Sequence, residues 1–112
     1  FGTGNEKGNR LMALKIFWTD SARVQLEEIF KYYRDVSGLR IAQKLKNKIF
    51  DRTLQLAKFP ESGPLEPLLS SRKLDYRYLV EGNYKIIYWI ENQNIKIAAV
   101  FDCRQNPTKM QV

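Results

Sequence analysis

The chain is 112 residues long, carries 19 lysines and arginines against 12 acidic residues, and has a formal charge of +7. A chain of this length makes one domain and buries roughly 65% of its unfolded surface, so it folds without a disulfide or a metal. Histidine is absent and Cys103 is the single cysteine, which excludes a histidine base, a Ser-His-Asp or Cys-His arrangement and an ordinary zinc site.

A lone cysteine can form no internal bridge, which points to a reducing cytoplasm, and Cys103 itself reads as inert. No apolar run approaches the ~20 residues of a membrane span. Neither metal nor cofactor is expected. The positive balance points to an anionic partner, either nucleic acid or an acidic protein surface.

Phe1 to Arg10 is polar and rich in Gly and Asn, and residues 1–11 are expected to form a flexible leader. A single domain is expected over 12–107, with a short tail at 108–112. Leu14-Lys15-Ile16-Phe17-Trp18 reads as a strand. Thr19-Asp20-Ser21 then offers helix N-caps, because a hydroxyl or carboxylate there accepts from the first free backbone N–H groups. Ala22, Leu26, Ile29, Phe30 and Tyr33 form one stripe of an amphipathic helix. Asp35-Val36-Ser37-Gly38 breaks it. A second helix is expected from Leu39 to Lys58, with Ile41, Ala42, Leu45, Ile49 and Leu56 inward, and Phe59-Pro60 stops it. So short a break makes the two helices an antiparallel hairpin.

Glu61 to Ser71, with Gly63, Pro64 and Pro67, is a loop. Leu74–Val80, Tyr84–Ile90 and Ile95–Phe101 then read as three alternating strands, broken only by Glu81-Gly82-Asn83 and Asn92-Gln93-Asn94. Such short polar breaks join antiparallel neighbours. The expected fold is therefore α+β: a strand at a sheet edge, an antiparallel helix hairpin laid across the sheet, and a three-strand antiparallel meander. Arg77, Lys85, Lys96 and Arg104 lie on or just beyond the meander, so the open face of the sheet is expected to present fixed cations. Tyr84 and Tyr88 are expected to point into the core; Trp89 is divided between the core and a stacking surface.

Element order and three patches resemble the RelE/ParE superfamily of bacterial type II toxins, found in plasmid stabilisation systems. The patches are Ile16-Phe17-Trp18-Thr19-Asp20-Ser21-Ala22, Asn83-Tyr84-Lys85-Ile86-Ile87-Tyr88, and Val100-Phe101-Asp102-Cys103-Arg104-Gln105-Asn106-Pro107. The resemblance implies a toxin neutralised by a cognate antitoxin protein. RelE-like members cleave messenger RNA on the ribosome, whereas ParE-like members poison DNA gyrase and do no known chemistry themselves.

RNA cleavage needs a base, cations around the phosphate and an acid for the leaving oxygen. If the chain is a nuclease, the resemblance nominates Glu66 as base with Lys85 and Arg104 around the phosphate. Lys85 stands where nuclease members carry arginine, which loses the bidentate grip on phosphate. Arg104 cannot replace the terminal acid. The ParE-like reading is therefore favoured, with Arg77, Lys85, Trp89 and Arg104 facing the target and Lys44, Lys48 and Arg52 on the second helix facing the antitoxin. The alternatives are the ribosome-dependent endoribonuclease and a non-toxic, basic nucleic-acid-binding module. The plainer readings are a solvated helix face for the basic stripe, a loop surface charge for Glu66 and a salt-bridged turn for Arg104.

Overall fold

Strand β1 (Lys15–Trp18) passes through Thr19 into helix α1 (Asp20–Ser37). The computed structural model describes residues 14–110 and Val112, so the expected leader at 1–11 lies outside the described residues. Thr19 sits in extended backbone, and its hydroxyl oxygen accepts from the Ala22 N–H at 3.2 Å while its proton goes to the Ile97 carbonyl at 2.9 Å. One side chain thus caps the helix and ties its start to the last strand.

Gly38 ends α1 and begins α2 (Leu39–Thr53), at a φ of +100° that side chains with a Cβ rarely adopt. The second helix is shorter than expected: beyond Thr53 the chain tightens into a 3₁₀ turn, Leu54–Ala57, before Phe59-Pro60. Ile41 is not inward but 53% exposed. The buried stripe runs through Ala42, Ile49 and Thr53, and Ile41 lies about a quarter-turn off that line.

The meander forms β2 (Arg77–Glu81), β3 (Tyr84–Glu91) and β4 (Asn94–Asp102). Leu74 to Tyr76 stay outside the strand; an isolated bridge between Leu65 and Arg77 pairs the loop with the start of β2. The sheet order is β1-β4-β3-β2, so β1 is at an edge as its position suggests, and it pairs with β4 in parallel. Two-residue turns at Gly82-Asn83 and Asn92-Gln93 close the hairpins, with positive φ at Gly82, Asn92 and Gln93.

Two residues of β4 meet one of β3 at Ala98: Ile87 pairs with Ala99 and Tyr88 with Ile97. This bulge changes the phase of β4. Ile95, Ile97 and Val100 all pack on the helix side with Ile49, Leu56, Ile86 and Tyr88, while Ala99 and Phe101 face away. The opposite face is not bare. Leu69 from the loop and Met110 from beyond the sheet bury themselves on Ile87, Ala98, Ala99 and Phe101, with Tyr76, Tyr78 and Trp89 at the border. Packing therefore continues past Pro107.

Candidate functional site

The cations expected on one open face are divided among separate places. Arg77 pairs across from Tyr88 and so lies on the helix side, where it donates to the Gly63 carbonyl at 2.9 Å. Tyr88, fully buried, donates to the Pro60 carbonyl at 2.7 Å and accepts from the Gly63 N–H at 3.0 Å. Burial lifts its hydroxyl above the ordinary tyrosine range. Arg77 and Tyr88 together hold the loop against the sheet.

Lys85 lies on the other face, opposite Val80 and Phe101. Its Nζ stands 2.7 Å from Glu66 Oε1 and 4.4 Å from the centre of the Tyr78 ring. Glu66 is neither a surface charge nor an accessible base: its side chain is 0% exposed, and Oε2 accepts from the Leu68 N–H at 3.0 Å. The proposed base and the proposed phosphate cation are thus each other's partner, and the carboxylate caps the 3₁₀ turn Pro67–Leu69. Lys96 shares this face and lies 4.7 Å from the Phe17 ring centre. Trp89 is half-buried, edge-on to Tyr76, with its indole N–H donating to Glu91 at 2.8 Å.

Arg104 occupies a third place, in the turn after β4. Asp102 pairs with Tyr84, whose side chain is on the helix side, so the turn emerges beside α1. Asp102 accepts from Arg104 Nε at 3.0 Å, from Nη2 at 2.8 Å and from the Arg104 backbone N–H at 2.9 Å. Nη2 also lies 3.5 Å from the Tyr33 hydroxyl. These bonds hold the Asp102 carboxyl below the ordinary aspartate range and raise the already high guanidinium pKa. Tyr33 is lowered by hydrogen bonding to Arg104 and then to Tyr84, while desolvation foremost raises Tyr84. The guanidinium is therefore fixed in orientation, with Nη1 left over, and its side chain remains 55% exposed.

This turn forms one wall of a cleft of about 600 Å³. The other wall is the flank of α1, with Gln25, Glu28, Ile29, Tyr32, Tyr33 and Val36. Tyr33 packs against the core as its place in the apolar stripe predicts, and Arg104 is salt-bridged in a turn as its plainer reading has it; the contact between Tyr33 and Arg104 is what the sequence did not show. The spacing Asp-x-Arg was the available signal, but the approach of α1 depends on the bulge in β4.

On α2, Arg40, Lys44 and Lys48 recur every four residues along an exposed outer face and have no ion-pair partner among the described residues. Arg52 is separate from this row. Its Nε donates to the Val80 carbonyl at 3.1 Å and its Nη1 bonds Gln55, so it ties α2 to the edge strand β2. Among the described residues no cluster of potential metal ligands occurs and no helix is long and apolar enough to cross a membrane.

A chain of known structure, from the chromosomal ParDE TA system of P. aeruginosa, is similar with a TM-score of 0.68. The identity is 20%, and the match covers 80% of this chain and 96% of that one, which is a likeness of fold. No curated protein matches the chain. The family profile for the ParE toxin of type II toxin-antitoxin systems, parDE, matches residues 16–107. That span takes in all but the first residue of β1, both helices, the whole meander and the Asp102–Arg104 turn, and the chain belongs to the ParE toxin family of type II toxin-antitoxin systems.

Proposed function

We propose that the chain acts in the bacterial cytoplasm as a toxin that inhibits DNA gyrase by binding it, and that a cognate antitoxin protein neutralises it. The observation that carries a binding role over a cutting one is the dispersal of the nuclease candidates. Glu66 and Lys85 neutralise each other on one face of the sheet, while Arg104 lies beside α1 on the other side. Phosphate cleavage needs base and cations converging on one reacting centre. A protein surface needs only fixed groups held in register.

In this reading Arg104 meets the target, held by Asp102 and Tyr33. Arg77, Lys85 and Trp89, also nominated for the target, instead support the loop and the second apolar cluster, so their contribution is to hold the frame. The antitoxin lies along α2, where Lys44 and Lys48 are exposed cations suited to an acidic segment and Arg52 flanks them at the β2 edge.

Purified protein added to a gyrase supercoiling reaction tests the target. Inhibition is expected in the wild type and weakened in Arg104→Gln, and unimpaired supercoiling at high excess refutes it. A translation extract supplies the control for the endoribonuclease: ribosome-dependent 5′ ends within codons, lost in Glu66→Gln, would replace gyrase with messenger RNA as the target. Normal growth on expression, with salt-sensitive binding to any duplex, would leave only the nucleic-acid-binding module.

A further inference from the structure

The cleft between α1 and the Arg104 turn is lined by both apolar and charged side chains. Val36 and Tyr32 on α1 remain 59% and 60% exposed although they line it. Opposite them stand Arg104, fixed by Asp102, and Lys109, which has no ion-pair partner among the described residues. We infer that this cleft receives, from the target protein proposed above, a carboxylate side chain adjoining an apolar one, the carboxylate meeting Arg104 and Lys109 and the apolar group covering Val36 and Tyr32.

The chemistry selects a protein segment over a nucleotide. A phosphate calls for cations with most of their donors free. Asp102 already takes Nε and Nη2 of Arg104, and Glu28 on the facing wall adds a second negative charge. What is left is one guanidinium edge and one ammonium, enough for a single carboxylate. The apolar wall would be idle against a phosphodiester but gains from burying a branched side chain. Extent favours the target over the antitoxin as the source: the cleft, about 600 Å³, is compact, whereas the exposed row Arg40, Lys44, Lys48 on α2 runs over about two helical turns and suits a longer acidic segment. The inference rests on the reading of the chain as a protein-binding toxin.

The test uses the ¹⁵N-labelled protein and two blocked dipeptides, acetyl-leucyl-glutamyl amide and acetyl-leucyl-glutaminyl amide. The glutamyl peptide should give saturable shifts in the amides of residues 32–36 and 100–105. Binding should be at least tenfold weaker for the glutaminyl peptide, and lost in Arg104→Gln and in Val36→Lys. Both replaced side chains are exposed, so folding is retained, and dispersed spectra check this. Absence of saturable shifts, equal binding of the two peptides, shifts centred on residues 40–48, or tighter binding of AMP in the same titration would each overturn the inference. No gyrase is present, so a failed titration beside intact inhibition of supercoiling removes this inference alone, and the reverse removes the target.

Discussion

Replacing Lys85 with methionine isolates the buried ion pair from the packing around it, because methionine keeps most of the apolar stem. The Glu66 carboxylate would be left fully buried with the Leu68 N–H as its one partner. Removing one member of a buried pair costs about 3–5 kcal/mol. Lys85 is itself 22% exposed, so water reaches part of the site and the lower end applies. Loss of its contact with the Tyr78 ring adds roughly 0.5–1 kcal/mol. A total of about 3.5–4 kcal/mol is expected, a melting point lower by roughly 14–32 °C for a domain of this size. Denaturant titration of Lys85→Met, Glu66→Gln and the double variant makes the measurement. Because glutamine can still accept from Leu68 and carries no charge, the double variant should lose much less than the sum of the singles, with a coupling of about 2 kcal/mol. Additivity within about 0.5 kcal/mol, or a loss under 1 kcal/mol in Lys85→Met, would refute the assignment of these residues to stability.

Four further outcomes are expected. Tyr88→Phe removes the hydroxyl that serves the Pro60 carbonyl and the Gly63 N–H; leaving buried groups unpaired should cost about 1–3 kcal/mol, read by denaturation with an unchanged m-value. Gln25→Ala frees the Val100 N–H, which Gln25 Oε1 accepts at 2.8 Å, and should speed hydrogen exchange there by at least tenfold without altering exchange in β2. Asp102 is depressed by its bonds to Arg104, so the stability it contributes is complete above the unfolded-state pKa and is lost as pH falls through the folded-state value. Its carboxyl ¹³C signal should titrate below the ordinary 3.8 and return toward it in Arg104→Gln, and a midpoint at or above 3.8 in the wild type counts against the clamp. Lys44→Glu with Lys48→Glu should weaken capture of the cognate antitoxin and flatten its salt dependence while leaving the melting point within a few degrees, since both side chains are exposed and have no ion-pair partner among the described residues.

The elements were legible because each carries its own local signal: Thr19 as cap, the stripe Ala22–Leu26–Ile29–Tyr33, and the apolar alternation of β3. The facing of the cations was not legible, because it depends on parity. With a two-residue turn at Gly82-Asn83, paired residues of β2 and β3 have opposite parity, as in Arg77 with Tyr88. Arg77 and Lys85, both odd, must then face opposite ways; a three-residue turn would have put them together. Glu66 was misplaced for a different reason. Its loop reads as polar and proline-rich, and only the tertiary approach of Lys85 makes burial of its charge tolerable. The Asp102–Arg104 clamp lay in plain view in the spacing, but its contact with Tyr33 joins residues 71 apart.

The cleft follows from the length of β1. That strand stops at Trp18, opposite Ile97, so among the described residues the outer edge of β4 has no neighbouring strand from Ala98 to Asp102. An uncovered edge leaves backbone groups in need of partners. Here α1 and its N-cap supply them: the Thr19 hydroxyl reaches the Ala98 carbonyl at 3.3 Å as well as that of Ile97, and the Gln25 side-chain oxygen accepts from the Val100 N–H. The bulge at Ala98 then puts Val100 and Asp102 on the α1 side together with Ile97. A longer β1 would cover this edge, and α1 could no longer lie against it. The short first strand, the bulge and two polar side chains thus act together to bring Arg104 beside Tyr33, and a surface for an outside protein arises where the sheet is left one strand short.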